Sequence, residues 1–117
     1  MRLNEIRYGK AVPVDGYGPG FFRVAGVVWR GPVLVSADGA APWQGFDDLE
    51  PLLALVGQVD VVFFGTGAEV AHLPAALLAA VVAAGIGVEA MASPTAARTY
   101  NVLLSEGRRV AVALLPV

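Results

Sequence analysis

Residues 59–115 repeat one alternation: a short apolar run, a helix-length stretch bounded by proline or glycine, then another apolar run. VDVVFF (59–64) has strand length and no polar alternation after Asp60, as expected of a strand covered on both faces. Pro74–Ala84 is rich in Ala and Leu, opens on proline and stops at Gly85. GVEAMA (87–92) is the next strand. Ser93-Pro94 then reads as an N-cap with proline at the first helical position, and the helix runs to about Glu106 before Gly107. RRVAVALL (108–115) is the last strand. Strand–helix–strand–helix–strand implies parallel pairing through right-handed crossovers, and therefore an α/β fold.

The first half has a different rhythm. Ile6, Tyr8, Lys10 and Val12 alternate with Arg7, Gly9 and Ala11, which predicts a half-exposed strand. VDGYGPG (14–20) reads as a loop, and FFRVAGVVW (21–29) and PVLVS (32–36) as strands joined at Arg30-Gly31. DGAAPWQG (38–45) reads as a second loop anchored by Trp43. Asp47 and Glu50, three apart, resemble a capping box ahead of a helix from about Asp48 to Val56, stopped by Gly57. No repeat, low-complexity tract or linker interrupts the chain, so a single domain over 1–117 is expected.

Composition excludes several functions. Basic and acidic groups are evenly spread and sum to −2, so no basic stripe offers a nucleic-acid surface. No cysteine is present, which rules out thiolate catalysis and Cys-ligated metal. His72 is the one histidine and the carboxylates are scattered, so no metal and no cofactor is expected. The N-terminus has no apolar leader, and the longest apolar stretch, Leu73–Val88, contains Pro74, Gly85 and Gly87. These features predict a soluble, cytoplasmic protein without a transmembrane segment.

Ligands of α/β sheets gather at the carboxyl ends of the strands. Gly65-Thr66-Gly67 and Ala92-Ser93-Pro94 should lie side by side there, with the following helix pointing its positive end at the same place. Gly65, Thr66, Gly67, Ser93, Arg98 and Asn101 are thus candidates for holding a small carboxylate or phosphate. The glycine pair lacks the third glycine of a dinucleotide fingerprint and the Lys-Ser/Thr of a Walker loop, so it is also explained as a tight turn. Arg98 is a ligand cation, or it pairs with a backbone carbonyl or with Glu89, which lies among apolar residues and would be a buried acid. His72 has no serine in a nucleophile elbow to serve, and is read as a capping or solvent-facing residue. No catalytic residue is assigned. Trp29 and Trp43, in the loop-rich half, are candidates for a contact patch.

Taken in order, FFGTG (63–67), GIGVEAM (85–91) and ARTYNVLLSEGRRVAVALLP (97–116) resemble a known family. It comprises the domain of mitochondrial complex I assembly factor 3 and its uncharacterised bacterial and archaeal relatives. The resemblance runs from about Tyr17 to Pro116. Related members carry an Asp-Thr step where this chain has Ala92-Ser93; Ser93 keeps the hydroxyl. What it implies is a three-layer α/β domain with a mixed, largely parallel central sheet, an N-terminal β-hairpin region and about three helices. It also implies that no enzymatic activity should be assumed, and a role through protein contacts: a partner protein or self-association. The expected function is an assembly-factor-like interaction module, linked to membrane or respiratory-complex biogenesis. The alternative is a binder of a small anion at the glycine crevice.

Overall fold

A computed structural model describes residues 8–117. The chain forms β1 (Val14–Gly18), β2 (Phe21–Val24), β3 (Val27–Arg30), β4 (Val33–Ser36) and β5 (Gly39–Pro42), then α1 (Glu50–Leu53) and β6 (Val61–Thr66). The order continues with α2 (Ala75–Ala83), β7 (Gly87–Met91), α3 (Ser93–Ser105) and β8 (Val110–Leu115). Strands β1–β3 make an antiparallel sheet, and a second sheet has the order β5-β4-β8-β6-β7. Within it β6 pairs in parallel with β7 and β8, while β4 is antiparallel to β5 and β8. The central sheet is therefore mixed, as expected, with its parallel part built by the two predicted crossovers.

Period-two alternation sorts the central strands between two cores. Val33, Val35, Phe63, Val110, Val112 and Leu114 face α3 and the small sheet, where Ala96, Tyr100, Leu104, Phe22 and Val24 complete one buried cluster. Leu34, Val62, Phe64, Ala111 and Ala113 face the other way, against Leu52 and Leu55 around α1, Leu77 and Val81 of α2, and Trp43. Three layers follow from this division.

The N-terminal half departs from the sequence reading at several points. The strand expected at residues 6–12 is not formed over 8–12; Ile6 and Arg7 lie outside the described residues. Residues 14–18 are a strand rather than a loop, because Gly16 and Gly18 leave room for cross-strand Arg23 and Phe21; a Cβ on Gly18 would meet Phe21 Cε1 at 2.5 Å. The run 21–29 is two strands, since Ala25 and Gly26 take φ of 50° and 77° and close a tight hairpin, with Val24 opposite Val27. At Arg30-Gly31 the chain changes sheets instead of forming a second hairpin. Residues 39–42 pair as β5.

The helix expected over 48–56 is cut to one turn, and the chain continues by tighter bonds such as Val56 N to Leu53 O (3.2 Å). Its N-cap is Leu49 without a side-chain bond. Asp48 Oδ2 instead accepts from Gln44 N at 3.0 Å, and the Asp48 carbonyl accepts from Trp43 Nε1 at 3.0 Å. The capping box expected of Asp47 and Glu50 is therefore not formed, and the neighbouring Asp48 holds Trp43 in place.

Candidate functional site

The two loops at the carboxyl ends of β6 and β7 do meet. Ser93 joins them, although it is the first residue of α3 rather than its side-chain N-cap; the N-cap is Ala92. Ser93 N donates to Gly67 O at 2.7 Å, and Gly67 N donates back to Ser93 Oγ at 2.8 Å. The same hydroxyl donates to Leu115 O at 2.6 Å. One fully buried serine therefore ties β6, β8 and the start of α3 together. Thr66 Oγ1 donates to Glu69 O at 2.7 Å, accepts from Ala71 N at 2.9 Å and lies 3.3 Å from Met91 O. The hydroxyl and amide that a small anion would use already have partners within the chain.

Gly65 explains why the approach is so close. A Cβ there would lie 2.7 Å from Ser93 Oγ, 2.8 Å from Ser93 Cα and 2.9 Å from Leu114 Cδ2. Gly67 serves a different need: φ is 101°, a conformation that a Cβ disfavours. One glycine admits the helix and the other turns the strand.

Arg98 does not complete a crevice with them. It is exposed, its nearest polar partner is Thr95 Oγ1 at 3.4 Å, and it borders a hollow shared with Asp15, Gly16 and Tyr17 of β1. Asn101 is a clamp: Val14 N donates to Oδ1 and Nδ2 donates to Val14 O, both at 2.8 Å, as a neighbouring strand would do. Beside it, Tyr100 OH donates to Val12 O at 2.8 Å. These two residues dock the small sheet on α3.

Glu89 is exposed on β7 and is neither a buried acid nor a partner of Arg98. The ion pair among the described residues is Arg109 with Asp60, at 2.8 Å on the surface. Hydrogen bonding to Arg109 holds the Asp60 carboxyl below its usual range and raises Arg109 in turn. Burial pushes the Tyr100 phenol well above its ordinary value, helped by the charges of Asp38 and Tyr8. None of these groups belongs to the glycine loop.

Trp43 is 1% exposed and packs edge-on against Phe46, with ring centroids 6.0 Å apart, so it belongs to the core and not to a contact patch. Trp29 is half-buried against the α3-side core, next to exposed Val27 and Val28. His72 borders a hollow of about 390 Å³ with Val70, Ala71, Leu73, Leu78, Val88 and Ala90. Among the described residues no cluster of His, Asp and Glu has the geometry of a metal site, and no helix is long and apolar enough to cross a membrane.

The sequence matches, over residues 14–115, the family described as protein of unknown function (DUF498/DUF598). It is 56% identical to an uncharacterised protein of Rhodobacter capsulatus, across 100% of this chain and 94% of that one. It is 33% identical to NADH dehydrogenase [ubiquinone] 1 alpha subcomplex assembly factor 3 of Danio rerio, across 88% of this chain. The match spans only 63% of that assembly factor's length. Among solved structures, an outer membrane protein of Bartonella henselae superposes with a TM-score of 0.83 at 35% identity, covering 93% of this chain and 97% of that one.

Proposed function

The chain belongs to the DUF498/DUF598 family, and from that membership we propose that it is a protein-binding module of the assembly-factor kind, engaging another protein rather than turning over a substrate. The observation that carries this reading is the similarity to an assembly factor along 88% of the chain. The use of Gly67 N, Ser93 Oγ and Thr66 Oγ1 for internal bonds supports it, because the polar groups at the strand ends serve the fold. The cellular setting we infer is biogenesis of a membrane or respiratory complex, after the similar proteins named as a dehydrogenase assembly factor and an outer membrane protein.

The test is a tagged copy in the native host, crosslinked and analysed by mass spectrometry, together with native gels of respiratory complexes in a deletion strain. A reproducible partner among respiratory subunits or their assembly proteins, with less mature complex in the deletion strain, is the expected result. A partner outside respiration removes the proposed setting and keeps the binding role. No specific partner, with respiratory complexes unchanged, overturns both.

A further inference from the structure

Strand β7 is one edge of the five-stranded sheet. Gly87 N donates to Asp60 O at 2.8 Å, so Gly87, Glu89 and Met91 direct their main-chain groups toward β6. Successive residues of a strand alternate, which turns the N–H and C=O of Val88 and Ala90 outward, where no strand among the described residues pairs with them. The side chains of the same two residues share a face with their register partners Val62 and Phe64, on the α2 side. There they border the hollow of about 390 Å³ formed with Val70, His72, Leu73 and Leu78. Free backbone groups and an apolar recess thus come from one pair of residues. The opposite edge, β5, is four residues long and ends at Pro42, which cannot donate to an added strand.

The charge on β7 selects the occupant. Glu89 is the one charged residue of the strand, exposed at its centre on the face opposite the hollow. We propose that the free edge of β7 takes an extended segment of a partner protein as a sixth strand, apolar opposite Val88 and Ala90 and basic opposite Glu89. Cross-strand partners share a face, so the apolar pair covers the hollow while the cation meets the carboxylate. A second copy of this chain fits less well. The two-fold antiparallel register that uses both outward residues of each copy sets Glu89 against Glu89, a like-charge pair. The inference rests on the protein-binding reading and assigns it a surface.

The experiment uses the full chain labelled with ¹⁵N and two blocked pentapeptides, Thr-Val-Lys-Val-Thr and Thr-Val-Glu-Val-Thr, at millimolar concentration. The lysine peptide is expected to slow amide exchange at Val88 and Ala90 about tenfold, with little change at Gly87, already bonded to β6. The glutamate peptide should do so weakly, and Glu89→Lys should reverse the preference. Ala90→Pro removes one outward N–H without touching the β6 ladder and should abolish the protection at Val88. If that variant fails to fold, the charge reversal at exposed Glu89 still decides. No protection at Val88 and Ala90, equal protection by both peptides, or protection that rises with protein concentration alone overturns the proposal. The last outcome assigns the edge to a second copy. Partner crosslinks that survive both variants leave the protein-binding reading standing and place its surface elsewhere.

Discussion

Replacing Gly65 with alanine tests the close approach of α3 to β6. The added Cβ would stand 2.7, 2.8 and 2.9 Å from Ser93 Oγ, Ser93 Cα and Leu114 Cδ2, where comfortable carbon separations begin near ~3.5 Å. The Ser93 Cα is backbone, so no rotamer change relieves the clash, and the start of α3 must move by roughly 0.7 Å. That movement strains the bonds that Ser93 makes to Gly67 and Leu115. Overpacking costs about 1–3 kcal/mol, and each weakened hydrogen bond adds about 1 kcal/mol, so a loss of about 3 kcal/mol is expected. With a urea slope of about 2 kcal/mol per molar, the unfolding midpoint should fall by about 1.5 M. Equilibrium urea unfolding followed by circular dichroism measures it. Adding Ser93→Gly should not restore the loss, since it orphans Gly67 N and Leu115 O while the main chain of residue 93 still crowds the new methyl. A midpoint within about 0.25 M of the parent, far short of the expected fall, would refute the steric account of this glycine.

Asn101→Ala should cost about 1–3 kcal/mol by orphaning the N–H and C=O of Val14, and amide exchange should rise at Val14 before it rises in β6. Tyr100→Phe should cost about 1 kcal/mol at neutral pH through the lost bond to Val12 O. Because the folded phenol titrates above its unfolded value of about 10, its contribution is complete below that pH and fades as pH rises. The parent should therefore lose stability more steeply than Tyr100→Phe in alkaline urea titrations; equal slopes would contradict the burial argument. A panel of nucleotides and organic acids should leave the melting temperature of the parent and of Arg98→Ala alike, whereas a shift that vanishes in Arg98→Ala would reinstate a small-anion site.

The second half of the chain was legible because its signals are local. Proline and glycine punctuate α2 and α3, and continuous apolar runs mark β6 and β8, so the type and order of elements followed directly. In the first half the runs of β2, β3 and β4 were legible as strands, but β1 and β5 are built from residues that ordinarily make loops. VDGYG and GAAP pair as β1 and β5 only because neighbours supply the ladder, and Gly16 and Gly18 shelter the larger side chains of β2. The meeting of the glycine loop with Ser93 was readable from the crossover rule, but what they do there was not. Whether Ser93 Oγ waits for a ligand or bonds Gly67 N depends on a separation of 2.8 Å between residues 26 apart in sequence. Arg98 and Asn101 are three residues apart on α3, yet Arg98 meets solvent and Asn101 meets Val14, because β1 covers only part of the helix.

The sequence by itself determined the α/β class, the parallel crossovers and the position of the sharp turn at Gly65-Thr66-Gly67, since these depend on periodicity, helix punctuation and backbone freedom within short windows. Only the tertiary structure decided that this turn is closed by Ser93, that Trp43 is buried, and that β7, which carries Glu89, lies at the edge of its sheet. Strand order and side-chain satisfaction are set by contacts between distant segments, and no local pattern records which edge is left unpaired.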